Sequence, residues 1–156
     1  MRGRGGRPAA VAALPVLLLV AACSPPSATD LFPVLAEPQD AEDTLPTLEG
    51  ELVPREVVAD SARHLASTAQ GDFWVAVGDL GAVCLVAAVE EATAVASACG
   101  APTGPGDRPI VASVQAGDAS ATGLLVPEGD DLSHAPPGEE WVMVADNLAV
   151  PADEDV

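Results

Sequence analysis

Val83-Cys84-Leu85-Val86-Ala87-Ala88-Val89-Glu90-Glu91-Ala92-Thr93-Ala94-Val95-Ala96-Ser97-Ala98-Cys99 is the stretch on which the fold turns. Two runs rich in Val and Ala flank a polar tip, which is the pattern of two strands joined as a hairpin. With the tip at Glu91-Ala92, Cys84 faces Cys99 directly. Directly opposed residues of antiparallel strands have Cα atoms about 4.5 to 5.5 Å apart, within reach of a disulfide. That register sets Cys84, Val86, Val95 and Cys99 on one face and Val83, Leu85, Val89 and Ala98 on the other. Both faces are apolar, so the hairpin is expected to be central and buried. Closing a loop of about fifteen residues stabilises the chain by about 3 kcal/mol on the loop-entropy argument. A redox-active pair is the competing reading, but such pairs usually stand as Cys-x-x-Cys.

Outward from the hairpin the same texture continues. Short apolar or alternating runs span Ala62 to Thr68, Phe73 to Val77, Ile110 to Gln115, Thr122 to Val126 and Trp141 to Ala145, with Leu148 to Val150 as a last edge. Turn signals such as Gln70-Gly71-Asp72, Gly78-Asp79-Leu80-Gly81 and Gly117-Asp118 divide them about every eight to twelve residues, the spacing of an all-β domain. Seven or eight strands joined in this way predict a small antiparallel sandwich or barrel over residues 56–150, stapled by Cys84–Cys99. Val57 to Ser67 reads either as a strand or as a short helix, because Ala, Arg and Leu are good helix formers. The domain's aromatics, Phe73, Trp74 and Trp141, are few, so the core is light and made largely of Ala and Val. Trp141 follows Glu139-Glu140 at a strand start; both tryptophans read as core side chains.

The segment Phe73-Trp74-Val75-Ala76, then Gly81-Ala82-Val83-Cys84-Leu85-Val86, Cys99, Leu125-Val126-Pro127-Glu128-Gly129 and Asp146-Asn147-Leu148 resemble a group of small exported proteins and lipoproteins of high-GC Gram-positive bacteria. The resemblance covers about Ala62 to Val150. It implies an exported location, paired cysteines and a β-rich domain, and carries over no catalytic or binding residue.

The N-terminus reads as an address. Met1 to Arg7 is basic, and Pro8 to Ala22 carries no charge, which together make the n-region and h-region of a secretory signal over residues 1–22. The run is too short for a membrane span, which needs about 18 to 20 residues, and Pro15 interrupts it. Val20-Ala21-Ala22-Cys23 resembles a bacterial lipobox, with Val where Leu is commoner, so Cys23 is the expected lipid anchor. A plain cleavage site that leaves a free Cys23 is the alternative. Acyl chains on Cys23 would hold the chain at the extracytoplasmic face of the cell membrane with no segment crossing it, in a compartment where Cys84 and Cys99 oxidise. Residues 23–55, acidic and Pro-rich, are expected to form a disordered tether, and residues 151–156 an acidic tail.

Composition narrows the chemistry. Of 156 residues none is Lys, which removes phosphate-loop lysines, Schiff bases and lysine bases. The formal net charge is −18, and beyond residue 22 only Arg55, Arg63 and Arg108 stand against all 24 acidic residues. So acidic a surface repels phosphate backbones and anionic head groups, and no nucleic-acid partner is expected. The histidines are His64 and His134 alone, and no Gly-x-Ser-x-Gly elbow occurs. Asp130, Asp131, Ser133 and His134 form the sole cluster with all the parts of a hydrolytic triad. In an extended loop neighbouring side chains point oppositely, so Ser133 and His134 are not expected to share a hydrogen bond. No zinc site is expected from two histidines far apart in sequence. Glu128, Asp130, Asp131, Glu139 and Glu140 lack the alternating order of a calcium loop and read as a solvated face. No cofactor is called for.

Three functional classes remain. The first is a non-enzymatic binding module for an envelope protein or small ligand, with an edge strand or the Pro127 to Gly138 loop as contact surface and Glu128, Asp130, Asp131, His134 and Trp141 as candidate residues. The second is an envelope hydrolase or metal-dependent enzyme using His134 with Asp130 or Asp131. The third is a spacer or coat protein whose charge keeps it soluble.

Overall fold

Each apolar run outward from the hairpin becomes a strand because its alternate side chains have a sheet face to fill. The computed structural model describes residues 26–48, 51–52, 54–89, 94–102 and 109–152. Strands β3 (Arg63–Ser67), β4 (Asp72–Val77), β5 (Val83–Ala88) and β6 (Val95–Gly100) form one antiparallel sheet in the order β3-β4-β5-β6. Strands β7 (Ile110–Ala116), β8 (Ala119–Leu125), β9 (Trp141–Ala145) and β10 (Leu148–Pro151) form the other, in the order β7-β8-β10-β9. A minimal pair, β1 (Thr47–Leu48) and β2 (Glu51–Leu52), lies before them. The main core lies between the two sheets, with Phe73, Val75, Val83 and Leu85 from the first meeting Ala112, Ala121, Leu125, Leu148 and Val150 from the second. The fold is an all-β sandwich. No helix among the described residues is long and apolar enough to cross a membrane.

Cys84 and Cys99 are opposed and bonded, with Cα atoms 4.0 Å apart. The hairpin tip, residues 90–93, lies outside the described residues. Val83 and Leu85 face the main core, while Val86 packs on the opposite face with Trp74, Ala76 and Ala88. One expectation needs correction: only β5 is central and wholly buried, whereas β6 is the edge of its sheet and Cys99 is exposed. The apolar pattern of β6 reflects its small Ala side chains, which suit an edge lying close to β7.

The two readings of Val57 to Ser67 resolve into a single 3-10 turn at Ala59–Ser61 followed by β3. Pairing of Arg63 with Val75 and His64 with Trp74 wins the segment for the sheet.

The larger correction concerns residues 26–48, which do not run free as a tether. Ser27 caps a single helical turn, α1 (Ala28–Leu31), and its side chain exchanges bonds with Asp30 in a capping box. Leu31 and Phe32 then enter the main core, Phe32 at 2% exposure. Further on, Leu45 is buried on the outer face of the first sheet beside Trp74, whose Nε1 donates to the Glu42 carbonyl at 3.1 Å. Arg63, also buried, donates to the carbonyls of Glu37 and Ala62 and lies 3.9 Å from Asp43. The Asp43 carboxylate in turn accepts the backbone N–H of His64 at 2.7 Å. The segment is a strap. Three well-placed apolar side chains and a buried charge pair outweigh its acidic, Pro-rich average.

The outer face of the second sheet is covered in an analogous way. Since β10 occupies the place beside β8, the chain leaving β8 must reach the far edge before forming β9. The connecting loop lays Leu132 and Ala135 over Trp141, Leu124, Val126 and Ala149. Each tryptophan thus sits on an outer face beneath a covering segment, as expected for core side chains.

Candidate functional site

The loop from Pro127 to Glu140 carries the residues that the sequence singles out. Asp131 caps a 3-10 turn at Leu132–His134 by accepting the Ser133 N–H at 3.0 Å. The Ser133 hydroxyl, and then its amide, hold the Asp131 carboxyl below its ordinary range. The turn changes one expectation, because the loop is not extended there. Ser133 Oγ lies 3.1 Å from His134 Nδ1 and the two do share a hydrogen bond.

Asp130 Oδ1 lies 3.6 Å from the same Nδ1. In a hydrolytic relay the acid orients one ring nitrogen while the hydroxyl meets the other. Here serine and aspartate converge on one nitrogen and no relay is assembled. Ligand atoms of Asp130, Asp131 and His134 lie within 4.8 Å of one another, close enough for a cation to bridge. Glu128, Glu139 and Glu140 are not part of that group.

Glu128 belongs to a different feature. A cleft of about 560 Å³ opens at one side of the sandwich, lined by Glu37, His64, Leu65, Glu128, Ala145 and Asp146 among others. The N-terminal strap forms one of its walls, and the Leu31 carbonyl accepts the Glu128 N–H at 2.8 Å. Beside the cleft His64 lies edge-on to Trp74, with ring centroids 5.5 Å apart, and its Nε2 is 3.2 Å from Ser67 Oγ. Ser67 Oγ donates its proton to Asp72. The hydroxyl thus points at the carboxylate, an arrangement that ties the ends of β3 and β4 together and leaves Ser67 unactivated by the imidazole.

Trp141, the last of the loop candidates, is 8% exposed, and its Nε1 has no hydrogen-bond partner among the described residues. The three residues after it are the ones sequence reasoning missed. Val142, Met143 and Val144 stand 39%, 40% and 39% exposed on β9, and no strand among the described residues lies beyond that edge. Native edges are usually blunted by charge, proline or a cover. The signal was present in Glu140-Trp141-Val142-Met143-Val144-Ala145-Asp146, an apolar run with no polar alternation. It reads equally as a buried strand, and topology alone makes it an edge.

The free edge has usable backbone groups. Ala152 N–H donates to the Glu140 carbonyl at 2.7 Å, so the 140/152 and 142/150 pairs carry the ladder bonds to β10. Pro151 falls opposite Trp141 in a non-bonded pair, where its missing N–H is no loss. By the same alternation Trp141 and Met143 turn their N–H and C=O groups away from β10, up to the register shift at Leu148/Ala149 that leaves Val144 as an extra residue. Comparison with protein-family models, with curated proteins and with solved structures finds no match to this chain.

Proposed function

We propose that the chain is an exported lipoprotein, held at the extracytoplasmic face of the cell membrane through Cys23, whose sandwich is a non-enzymatic binding module for a protein of the cell envelope. The observation that carries this reading is the exposed apolar edge β9, which no strand among the described residues covers and which offers backbone groups and side chains to an added strand. The test is cross-linking on intact cells followed by capture of the chain. A reproducible partner that disappears with Met143→Pro, and with release of the chain by Cys23→Ala, supports the module. Capture unchanged by Met143→Pro removes β9 from the reading.

An envelope hydrolase or metal-dependent enzyme is the second reading, favoured by the convergence of Asp130, Asp131 and His134. It expects His134→Ala to abolish an activity, whereas the binding module expects partner capture to survive that change.

A further inference from the structure

We infer that the segment added to β9 is an extended stretch of another protein bearing Lys or Arg at its ends, not a second copy of this chain. The inference rests on the reading of β9 as the binding edge and concerns only the chemistry of its occupant. Acidic groups stand at both ends of the exposed run, with Glu139 and Glu140 before it and Asp146 after it, all three exposed. Asp146 also lines the cleft, which adds Glu37 and Glu128. The one described arginine at that side, Arg63, is buried under the strap and already bonded to the carbonyls of Glu37 and Ala62. Of the histidines, His64 turns its Nε2 to Ser67 and Asp72, and His134 in the preceding loop turns its Nδ1 to Asp130.

A second copy fits poorly. Antiparallel approach of two β9 edges brings Glu139 and Glu140 before the strand of one copy toward Asp146 after the strand of the other, twice over. Like charges directly opposed across strands are destabilising, and each chain brings a formal charge of −18 to the approach. An incoming strand with apolar side chains against Val142 and Val144 and a cation at each end meets the opposite situation. One cation reaches Glu139 and Glu140, and the other reaches Asp146 at the cleft mouth.

The test titrates the full chain with two synthetic peptides of about ten residues, a usual strand length or slightly more. Both alternate Val and Thr; one has Lys at each end and the other Glu. The Lys peptide is expected to bind at least about tenfold tighter than the Glu peptide, an advantage shrinking as salt rises. Replacing the flank by Glu139→Gln with Glu140→Gln should weaken the Lys peptide about fivefold. Met143→Pro removes an N–H that points away from β10 and should abolish binding. Should that variant misfold, Val144→Lys places a guarding charge on the edge and serves in its stead. Equal affinity for both peptides, with Met143→Pro abolishing both, overturns the cationic occupant and leaves the β9 edge standing. Binding of neither peptide overturns the inference, as does a full-chain dimer in sedimentation that Met143→Pro dissociates.

Discussion

Gly123 lies beneath the ring of Phe73, and a Cβ built there would fall 2.7 Å from the ring's Cε1 and 3.1 Å from Leu148 Cδ1. Phe73 is fully buried between the sheets and has no room to retreat. Gly123→Ala is therefore expected to destabilise the fold by about 1 to 3 kcal/mol through overpacking, read as a lower denaturant midpoint with unchanged slope. Gly78 meets a similar constraint at the disulfide, because a Cβ there would lie 2.5 Å from Cys84 Sγ. Titration supplies a second prediction at this scale. The Ser97 hydroxyl donates to Glu56 and, with a smaller backbone contribution, holds its carboxyl below the ordinary value. A lowered folded pKa adds stability above the unfolded pKa and loses it as pH falls through the folded one. Ser97→Ala should raise the Glu56 midpoint, visible by NMR titration, and remove that increment at neutral pH while changing little once the carboxyl is protonated. Glu56 is largely solvated, so the stability change will be small.

Among the elements the strap has the sharpest energetic consequence. Asp43 and Arg63 are both under a tenth exposed, and Asp43 additionally accepts the N–H groups of Asp40 and His64 at 2.8 and 2.7 Å. Removing one member of a buried pair strands the other, at about 3 to 5 kcal/mol. Asp43→Ala should approach that range and loosen the cover over Trp74, so that denaturation midpoint and Trp74 emission shift together. A loss below about 1 kcal/mol would show that water readily replaces the strap. The elements also differ in how legible they were. The eight sandwich strands could be read within a residue or two, apart from the start of β8, three residues earlier than Thr122, because alternation and turn residues are local, and Cys84 with Cys99 fixed one register outright. The strap could not, since its hold comes from single residues, Leu31, Phe32, Asp43 and Leu45, whose partners lie far along the chain and whose neighbours are acidic or proline. The edge position of β6 and the exposure of β9 depend on strand order, which apolar patterning does not encode. The Ser133–His134 contact depends on one short turn, and an exposed loop gives no periodic signal of it.

For the whole molecule the strap changes what an anchor on Cys23 would do. A thirty-residue tether would let the sandwich wander far from the bilayer, but structure begins by Ser27, which already caps α1. Four residues of extended chain reach about 14 Å at most. The Leu31 carbonyl is bonded to Glu128, so with a lipid on Cys23 this short reach would draw the cleft end of the sandwich toward the membrane. An acidic domain held that close would be repelled by anionic head groups within about a Debye length, near 8 Å at physiological salt. Energy transfer from a dye on Ala36→Cys, an exposed position in the strap, to an acceptor in the bilayer should accordingly be strong for the lipidated chain in vesicles. Inserting about thirty Gly and Ser residues between Ser24 and Pro25 adds an r.m.s. reach of about 30 Å and should reduce that transfer clearly. Equal, weak transfer with and without the insertion would mean that the sandwich stands away from the bilayer by some other means, and the membrane-proximal arrangement would fail. Strong transfer that the insertion abolishes would restrict partners to envelope proteins able to reach within a few nanometres of the lipid surface.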